Sequence, residues 1–232
     1  MCAGLTSRVV SIPVTSFLLG TWQIKRLEWK TDLIIRSEDS LMKPPLLLPP
    51  RLDPEAYHEF DYRRVYAEGF LRHDQEMLVT MRVRDGKNGF LVITPLEREP
   101  GASKVLVNRG WIPKEFEQQE DRQPGLPSGK VTIEGLLREP FKKNMFTPRN
   151  VPERGQWYFQ DVKEMAEWTE SAPVWIEETM GTNLSLIRDV PLTLSLEQNL
   201  LEAYDREAVG APIGRAAAVD LRNNHAQYIF TW

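Results

Sequence analysis

The C-terminal segment carries side chains that could bind a metal cofactor beside a membrane. Its last eleven residues, RNNHAQYIFTW at 222–232, pass from a polar run to an uncharged aromatic run. Residues three, four and seven positions apart share one face of a helix. Arg222, His225 and Ile229 therefore fall on one stripe, which ends at Trp232. The stripe grades from a cation, through an imidazole, to apolar and aromatic side chains.

Two interpretations fit this stripe. Haem iron takes a histidine as an axial ligand, and haem propionates favour cationic partners. In the first interpretation, His225 ligates haem iron and Arg222 pairs with a propionate. In the second, the segment begins an interfacial helix, where Trp and Tyr are enriched, and His225 only hydrogen-bonds its neighbours. The spacing alone favours the second, because one histidine beside one arginine is a weak signal.

An uncharged run near the N-terminus also indicates contact with a membrane. Residues 9–24 contain no charged side chain, and Lys25 and Arg26 follow at once. These sixteen residues are fewer than the about 20 that a helix needs to span a bilayer. The run fits the last part of a spanning helix, or an apolar segment packed on the domain. It lacks the cleavage site of a secretory signal.

Composition excludes several classes of protein. A chain of 232 residues holds one domain with a sizeable core or two small ones. The net charge of −4 provides no basic face, so no nucleic-acid partner is expected. The single cysteine, Cys2, excludes an intrachain disulfide and a cysteine-cluster metal site. With only His58, His73 and His225 available, a histidine-rich zinc or di-iron site is also disfavoured.

Helices and a connector are predicted at both ends of the central region. Apolar residues at three- and four-residue steps predict a helix from residue 22 to about residue 41. Five prolines between residues 42 and 54 predict an extended connector. A capping-box pattern predicts another helix from residue 195 to about 209, which Gly210 and Pro212 would end.

The central region has the pattern of short β-strands joined by turns. The predicted strands are 62–71, 76–82, 89–96, 104–111, 130–137 and 173–177. Pro100-Gly101 predicts a turn between two of them, and His73-Asp74 predicts another. Together with the helices, this pattern predicts an α+β fold with an antiparallel β-sheet or small β-barrel.

One helix is predicted to pack against this sheet. Asp161 and Glu164 have the spacing of a capping box, with Asp in place of the usual Ser or Thr. Val162, Met165 and Trp168 supply its apolar stripe. We therefore expect Met165 and Trp168 to be buried.

No catalytic constellation is recognised, which favours binding or assembly over an enzyme. The chain has no phosphate-binding glycine loop and no Gly-x-Ser-x-Gly motif. Glu177 and Glu178 should point to opposite faces of a strand and are expected to be solvated rather than an acid–base pair. His58 and His73 are expected at the surface.

Arg109-Gly110-Trp111 allows two roles. Gly110 is expected to hold a bend or bulge that presents its two neighbours. Arg109 then either contacts a partner or cofactor, or forms an ion pair at the sheet edge with Trp111 in the core. The second role is favoured by how such residues are usually placed in proteins.

An ordered set of blocks resembles the surfeit locus protein 1 family, called Shy in fungi. The blocks are LGTWQ at 19–23 with Arg26, Trp29 and Lys30; YR at 62–63 with GF at 69–70; VNRGWIP at 107–113; Asn150, PER at 152–154 and WY at 157–158 with Asp161 and Met165; and LRNNH at 221–225 with QY at 227–228 and TW at 231–232. Each block is weak alone, but their order over nearly the whole chain is specific. The central blocks are most similar to fungal members.

The resemblance implies an assembly factor for cytochrome c oxidase in the mitochondrial inner membrane. Partial membrane helices at 1–24 and 222–232 would flank a helix with a proline-rich connector (25–54) and an α+β domain facing the intermembrane space (55–221). The implied partners are the haem-containing core subunit, other assembly factors and membrane lipid. In bacterial relatives the histidine matching His225 is implicated in binding haem a. The propionate role of Arg222 rests on helix geometry alone.

Three functions remain open at this stage. The first is an assembly factor that assists haem a insertion into the core subunit. The second is a haem-independent scaffold that stabilises an oxidase assembly intermediate. The third is an unrelated small-ligand-binding β domain or a hydrolase.

Overall fold

A computed structural model of the chain describes most of its residues. The described residues are 3–51, 57–180, 202–221 and 223–224. The contacts divide the chain into two compact units, one formed by Met1–Met42 with Ala218–Trp232 and the other by Lys43–Ala217. Both chain ends therefore belong to the first unit.

The first unit contains one long helix, α1 (Ala3–Met42). The helix predicted at 22–41 is confirmed, and it extends back through the uncharged run. Buried and half-buried side chains recur along it at three- and four-residue steps, among them Gln23, Leu27, Lys30, Ile34, Ser37 and Leu41. Within the described residues, no helix has both the length and the apolar character required to cross a bilayer. The membrane segments at 1–24 and 222–232 remain predictions.

The second unit contains every strand of the part of the chain that the structure describes. In chain order its elements are β1 (Leu46–Leu47), α2 (Tyr57–Phe60), β2 (Arg63–Leu71), β3 (Met77–Arg84), β4 (Lys87–Glu97), β5 (Val105–Pro113), β6 (Lys130–Leu137), α3 (Val162–Thr169), β7 (Trp175–Glu178) and the helical stretch α4 at 202–208. The six predicted strands are confirmed, with ends shifted by at most two residues. Within its described residues, the proline-rich connector holds the short strand β1, which lies at the end of the sheet order.

The strands form one mixed sheet that closes on itself. Its seven strands run in the order β1-β2-β6-β7-β5-β4-β3. Phe70 and Leu71 at the end of β2 also pair with Glu97 and Leu96 of β4, so five strands complete a ring. The α+β class and the small barrel are confirmed, but a purely antiparallel sheet is wrong. The pairs β1–β2 and β5–β7 are parallel, because long connections return the chain to the same end before it pairs.

Apolar residues fill both faces of the ring. One cluster draws residues from all five ring strands, including Val65, Ala67, Leu96, Val105, Val107, Ile133 and Ile176. A second cluster lies on the other face, where α3 packs against β3, β4, β5 and β7. It contains Val162, Met165 and Ala166 of α3, Trp175 of β7, and Trp157 from the segment before α3. Burial on both faces explains why β5 has no exposed residue.

Helix α3 begins where the sequence predicts. The Asp161 carboxylate accepts hydrogen bonds from the backbone N–H groups of Lys163 (3.2 Å) and Glu164 (3.3 Å). Glu164 does not complete a reciprocal capping box, because its carboxylate accepts a bond from Asn150 Nδ2 (2.8 Å). The burial of Met165 is confirmed.

The predicted burial of Trp168 is wrong, since it is 52% exposed. The buried positions of α3 are Val162, Met165, Ala166 and Thr169. They follow the steps of three and four that keep a helix stripe in place. Trp168 follows Val162 by two steps of three residues. Each of these steps falls short of a full helical turn, so the Trp168 side chain points away from the buried stripe.

The C-terminal part of the second unit packs against β5. Helix α4 confirms the end of the predicted helix, while residues 195–201 lie outside the described residues. Gly210 ends the helix with a positive φ of 67°. Beyond it, Ile213 exchanges backbone hydrogen bonds with Trp111 of β5 (3.0 and 2.9 Å).

Candidate functional site

The two predicted cofactor-binding residues, Arg222 and His225, lie outside the described residues. Asn223, between them in sequence, is described. Its Nδ2 lies 3.5 Å from the backbone O of Leu27 and 3.3 Å from Oγ1 of Thr31. The segment that carries the predicted site therefore contacts α1 inside the first unit.

The contacted part of α1 is rich in cations and aromatic rings. The guanidinium carbon of Arg26 lies 3.9 Å from the centre of the Trp29 ring, and Nζ of Lys30 lies 5.7 Å from it. These residues alternate along the chain with Leu27 and Thr31, which Asn223 contacts. Such a cluster can pair with a carboxylate and stack against a flat ring. Among the described side chains, no group of three or more His, Cys, Asp or Glu is placed to hold a metal ion.

The strand β5 contains the bulge predicted at Gly110. Val92 pairs with Gly110 and Ile93 pairs with Asn108, so Arg109 is the extra residue. Gly110 has a φ of +116°, and its N–H donates to Oδ1 of Asn108 (3.1 Å). The side chain of this extra residue, Arg109, is buried.

Arg109 forms a buried ion pair. Its Nη1 donates to the backbone O of Gly125 (2.6 Å), and its Nε lies 3.6 Å from Oε2 of Glu178. Burial lowers the pKa of Arg109, and the negative charge of Glu178 opposes this shift. Burial raises the pKa of Glu178, although the positive charge of Arg109 acts to lower it. The structural role predicted for Arg109, an ion pair beside a buried Trp111, is confirmed. The pair joins β5 and β7 within the ring, however, and not at a sheet edge.

A second buried ion pair lies next to the turn that precedes β3. The fully buried Arg122 side chain pairs with both carboxylate oxygens of Glu76. Nε2 of Gln119 donates to Glu76 (3.2 Å) and to the backbone O of His73 (2.8 Å). Nε2 of His73 lies 3.1 Å from the backbone O of Pro127. His73 is half-buried, because the segment 119–127 packs over its turn, so its expected surface position holds only in part.

The two adjacent glutamates of β7 point to opposite faces, as predicted. Glu178 faces Arg109, and Glu177 accepts a hydrogen bond from Nη1 of Arg215 (2.9 Å). Their expected solvation is wrong, because β7 lies between β6 and β5 and both of its faces are covered. Each carboxylate is therefore matched to an arginine. The side chain of His58 lies outside the described residues.

Comparison with known proteins decides the family. A sequence model described as the SURF1 family matches residues 11–232. The chain belongs to this family. It is 33% identical over 235 residues to Surfeit locus protein 1 of Mus musculus, covering 95% of this chain and 68% of that protein. It is also 33% identical over 236 residues to Surfeit locus protein 1 of Homo sapiens, covering 95% and 70%.

A yeast relative carries a functional name. The chain is 29% identical over 270 residues to the "Cytochrome oxidase assembly protein SHY1" of Saccharomyces cerevisiae, covering 96% of this chain and 69% of that protein. The identities to animal and yeast proteins are similar, so the affinity to fungal members stays a prediction.

In this SURF1-family chain, sequence reasoning found the bulge at Gly110 but missed the partner of Arg109. Glu178 is distant in sequence, and it reaches Arg109 only through the parallel pairing of β5 and β7. The pair of Glu76 and Arg122 was also missed, because these residues are 46 positions apart and meet only where the segment 119–127 packs over the turn before β3. A charged residue within an otherwise apolar strand was the available signal for Arg109, because such a charge needs a buried partner.

Proposed function

We propose that this chain takes part in assembling cytochrome c oxidase, by assisting haem a insertion into the core subunit. Family membership over residues 11–232 carries the proposal. The name of the yeast relative, a cytochrome oxidase assembly protein, supports the oxidase as the target. The partners are then the core subunit and other assembly factors, and the role is non-catalytic.

The proposed location is the mitochondrial inner membrane, with the second unit facing the intermembrane space. The uncharged run before Lys25 and the aromatic run after Gln227 would enter the lipid. The contact between Asn223 and α1 supports this arrangement, because it places the two segments that approach the membrane side by side.

His225 is proposed as an axial ligand of haem a iron, and Arg222 as a partner of a propionate. The chemistry around Asn223 supports a ligand of this kind. Arg26 and Lys30 supply cations next to the Trp29 ring. The Oδ1 atom of Asn223 is buried and has no hydrogen-bond partner among the described residues. Haem would supply the iron, and these residues would orient the ring and neutralise its carboxylates.

The test uses the full-length chain, expressed with a haem a supply and purified in detergent. The preparation should show a Soret band, and His225→Ala should remove most of it while the β-sheet remains folded by circular dichroism. Binding should also weaken as pH falls through the titration range of the histidine, because the iron ligand must be unprotonated. Arg222→Ala should reduce binding less, since it loses one charge-assisted contact.

His58→Ala is the matched control and should retain the pigment. His73→Ala is a poorer control, because His73 contacts the backbone O of Pro127. An unchanged Soret band in His225→Ala would place the ligand elsewhere. Oxidase subunits that co-purify without pigment would favour the haem-independent scaffold. The family match leaves an unrelated small-ligand-binding domain or hydrolase without support.

A further inference from the structure

The side-chain amide of Asn223 joins the C-terminal segment to α1. Its Nδ2 atom donates to Oγ1 of Thr31 (3.3 Å) and to the backbone O of Leu27 (3.5 Å). The hydroxyl of Thr31 donates to the same backbone O (2.9 Å), which leaves its oxygen as the acceptor for the amide. Leu27 and Thr31 lie one turn apart on one face of α1. The contact therefore fixes where Asn223 lies along this helix and around it.

Stability does not explain an asparagine at this position. The Oδ1 atom of Asn223 is buried and has no hydrogen-bond donor among the described residues. A buried acceptor without a donor loses the hydrogen bonds that it would make to water. The two contacts of Nδ2 are at the long end of the range for N–H···O bonds, so they offset little of that loss. We therefore expect this side chain to serve the function of its segment rather than the free energy of folding.

Asn223 lies where two sets of proposed ligand contacts must come together. Arg222 directly precedes it, and His225 follows two positions later. On α1, Arg26 and Lys30 are each adjacent in sequence to a residue that Asn223 contacts. A haem with its iron ligand on one segment and carboxylate partners on the other binds well only if the two segments keep one register. Groups that fix the orientation of a metal ligand commonly decide its affinity in this way.

We propose that Asn223 and Thr31 form a positioning pair for the iron ligand His225. The pair holds the segment that carries His225 on α1 before haem arrives, so the imidazole and the cations of α1 are presented together. The chain then loses less conformational freedom on binding, which raises the affinity. Asn223 acts through His225, whereas the exposed side chain of Asn224 bonds to no described residue and has no such role. This role rests on the proposed function, to which it adds the residues that set the geometry of the site.

The test uses the full-length chain, expressed with a haem a supply and titrated in detergent by its Soret band. Asn223→Ala and Thr31→Val each remove one side of the contact and should weaken haem binding about 10-fold. The double variant should bind no more weakly than the poorer single variant, because both changes remove the same interaction. Thr31→Ser keeps the hydroxyl and should bind as the wild type does. Asn224→Ala is the matched control and should leave the affinity unchanged, since this neighbouring side chain is exposed.

A cross-link separates positioning from direct contact with the ligand. In a Cys2→Ser chain, Thr31→Cys and Asn223→Cys provide two thiols for a short bifunctional thiol reagent. The cross-link should form before haem is added, and it should restore the affinity that the untreated double-cysteine chain has lost. Trp29→Cys with Asn223→Cys is the control pair and should not cross-link, because residue 29 lies on the opposite side of α1 from residues 27 and 31.

The possible failures of the two proposals can be told apart. Full pigment in Asn223→Ala, with pigment lost in His225→Ala, would overturn the positioning role and leave the proposed function standing. A cross-link that forms without restoring the affinity would also overturn the positioning role, because Asn223 would then contact the ligand itself. Absence of the cross-link would contradict the pairing of Asn223 with Thr31. A wild-type chain without pigment would overturn the proposed function, and the positioning role with it.

Discussion

At the scale of single residues, Gly110 has the least room for a side chain among the described glycines. A Cβ placed there would lie 1.9 Å from the backbone O of Ile213, and the φ of +116° is unfavourable for other residues. Gly110→Ala should therefore reduce the free energy of unfolding by about 3–5 kcal/mol. Gly86→Ala is the matched control: its φ is +78°, but no atom lies within 4 Å. It should lose only about 1–2 kcal/mol.

Chemical denaturation of both variants in the same detergent checks this prediction. Equal losses of unfolding free energy in the two variants would mean that only the positive φ disfavours alanine at Gly110. The segment around Ile213 would then be able to shift away from the added Cβ atom.

The buried carboxylate of Glu178 should make stability depend on pH. Burial raises its pKa, so the folded state binds this proton more tightly than the unfolded state. The resulting stabilisation is complete below the unfolded pKa of about 4.3 and is lost as pH rises through the folded pKa. Glu178→Gln removes the titration. The difference in unfolding free energy, wild type minus variant, should therefore be largest near pH 4 and decrease towards pH 8.

Urea unfolding of both proteins at several pH values measures this difference. A difference that grows with pH would show that attraction to Arg109 outweighs burial in fixing the pKa of Glu178.

The position of the bulge was predictable from Gly110, because a glycine within a strand indicates a local backbone requirement. The ion pair was not predictable, because it depends on two strands that meet only in the folded chain.

At the scale of elements, α3 provides a direct comparison of a buried and an exposed side chain. Met165 is fully buried between α3 and the sheet, whereas Trp168 is 52% exposed. Met165→Ala should cost about 2–5 kcal/mol of unfolding free energy, as other buried methionines do. Trp168→Ala should cost less than about 1 kcal/mol, although it removes the larger side chain.

Thermal or urea unfolding of the two variants measures both losses. A larger loss for Trp168→Ala would mean that its ring is covered in solution, by another part of the chain or by a partner. Cofactor or partner binding can be measured on the same samples, and neither variant should alter the Soret band proposed for His225.

The strands could be predicted because their signals are local. Pro100-Gly101 separates β4 from β5, and alternating side chains identify β6. Ring closure between β2 and β4 and the parallel pair of β5 and β7 were not predictable in the same way. They depend on how connections such as 138–174 cross the barrel, and no short-range pattern encodes that path.

At the scale of the whole molecule, the second unit is inserted between the two parts of the first. Its connections lie after Met42 and before Ala218, and both lead into the first unit. Within that unit, Asn223 contacts Thr31 of α1. The two parts of the first unit therefore contact each other through Asn223 and α1. The predicted site could not be located more finely, because Arg222 and His225 lie outside the described residues.

This arrangement predicts a topology that can be tested in mitochondria. If both ends of the chain enter the inner membrane, residues 27–221 must lie on one side of it, because the chain returns to the segment it left. The proposed side is the intermembrane space. Protease added after rupture of the outer membrane should then digest the second unit, while a matrix protein in the same sample stays intact. Full protection of the second unit, with a digested intermembrane-space marker, would place the domain in the matrix and contradict this topology.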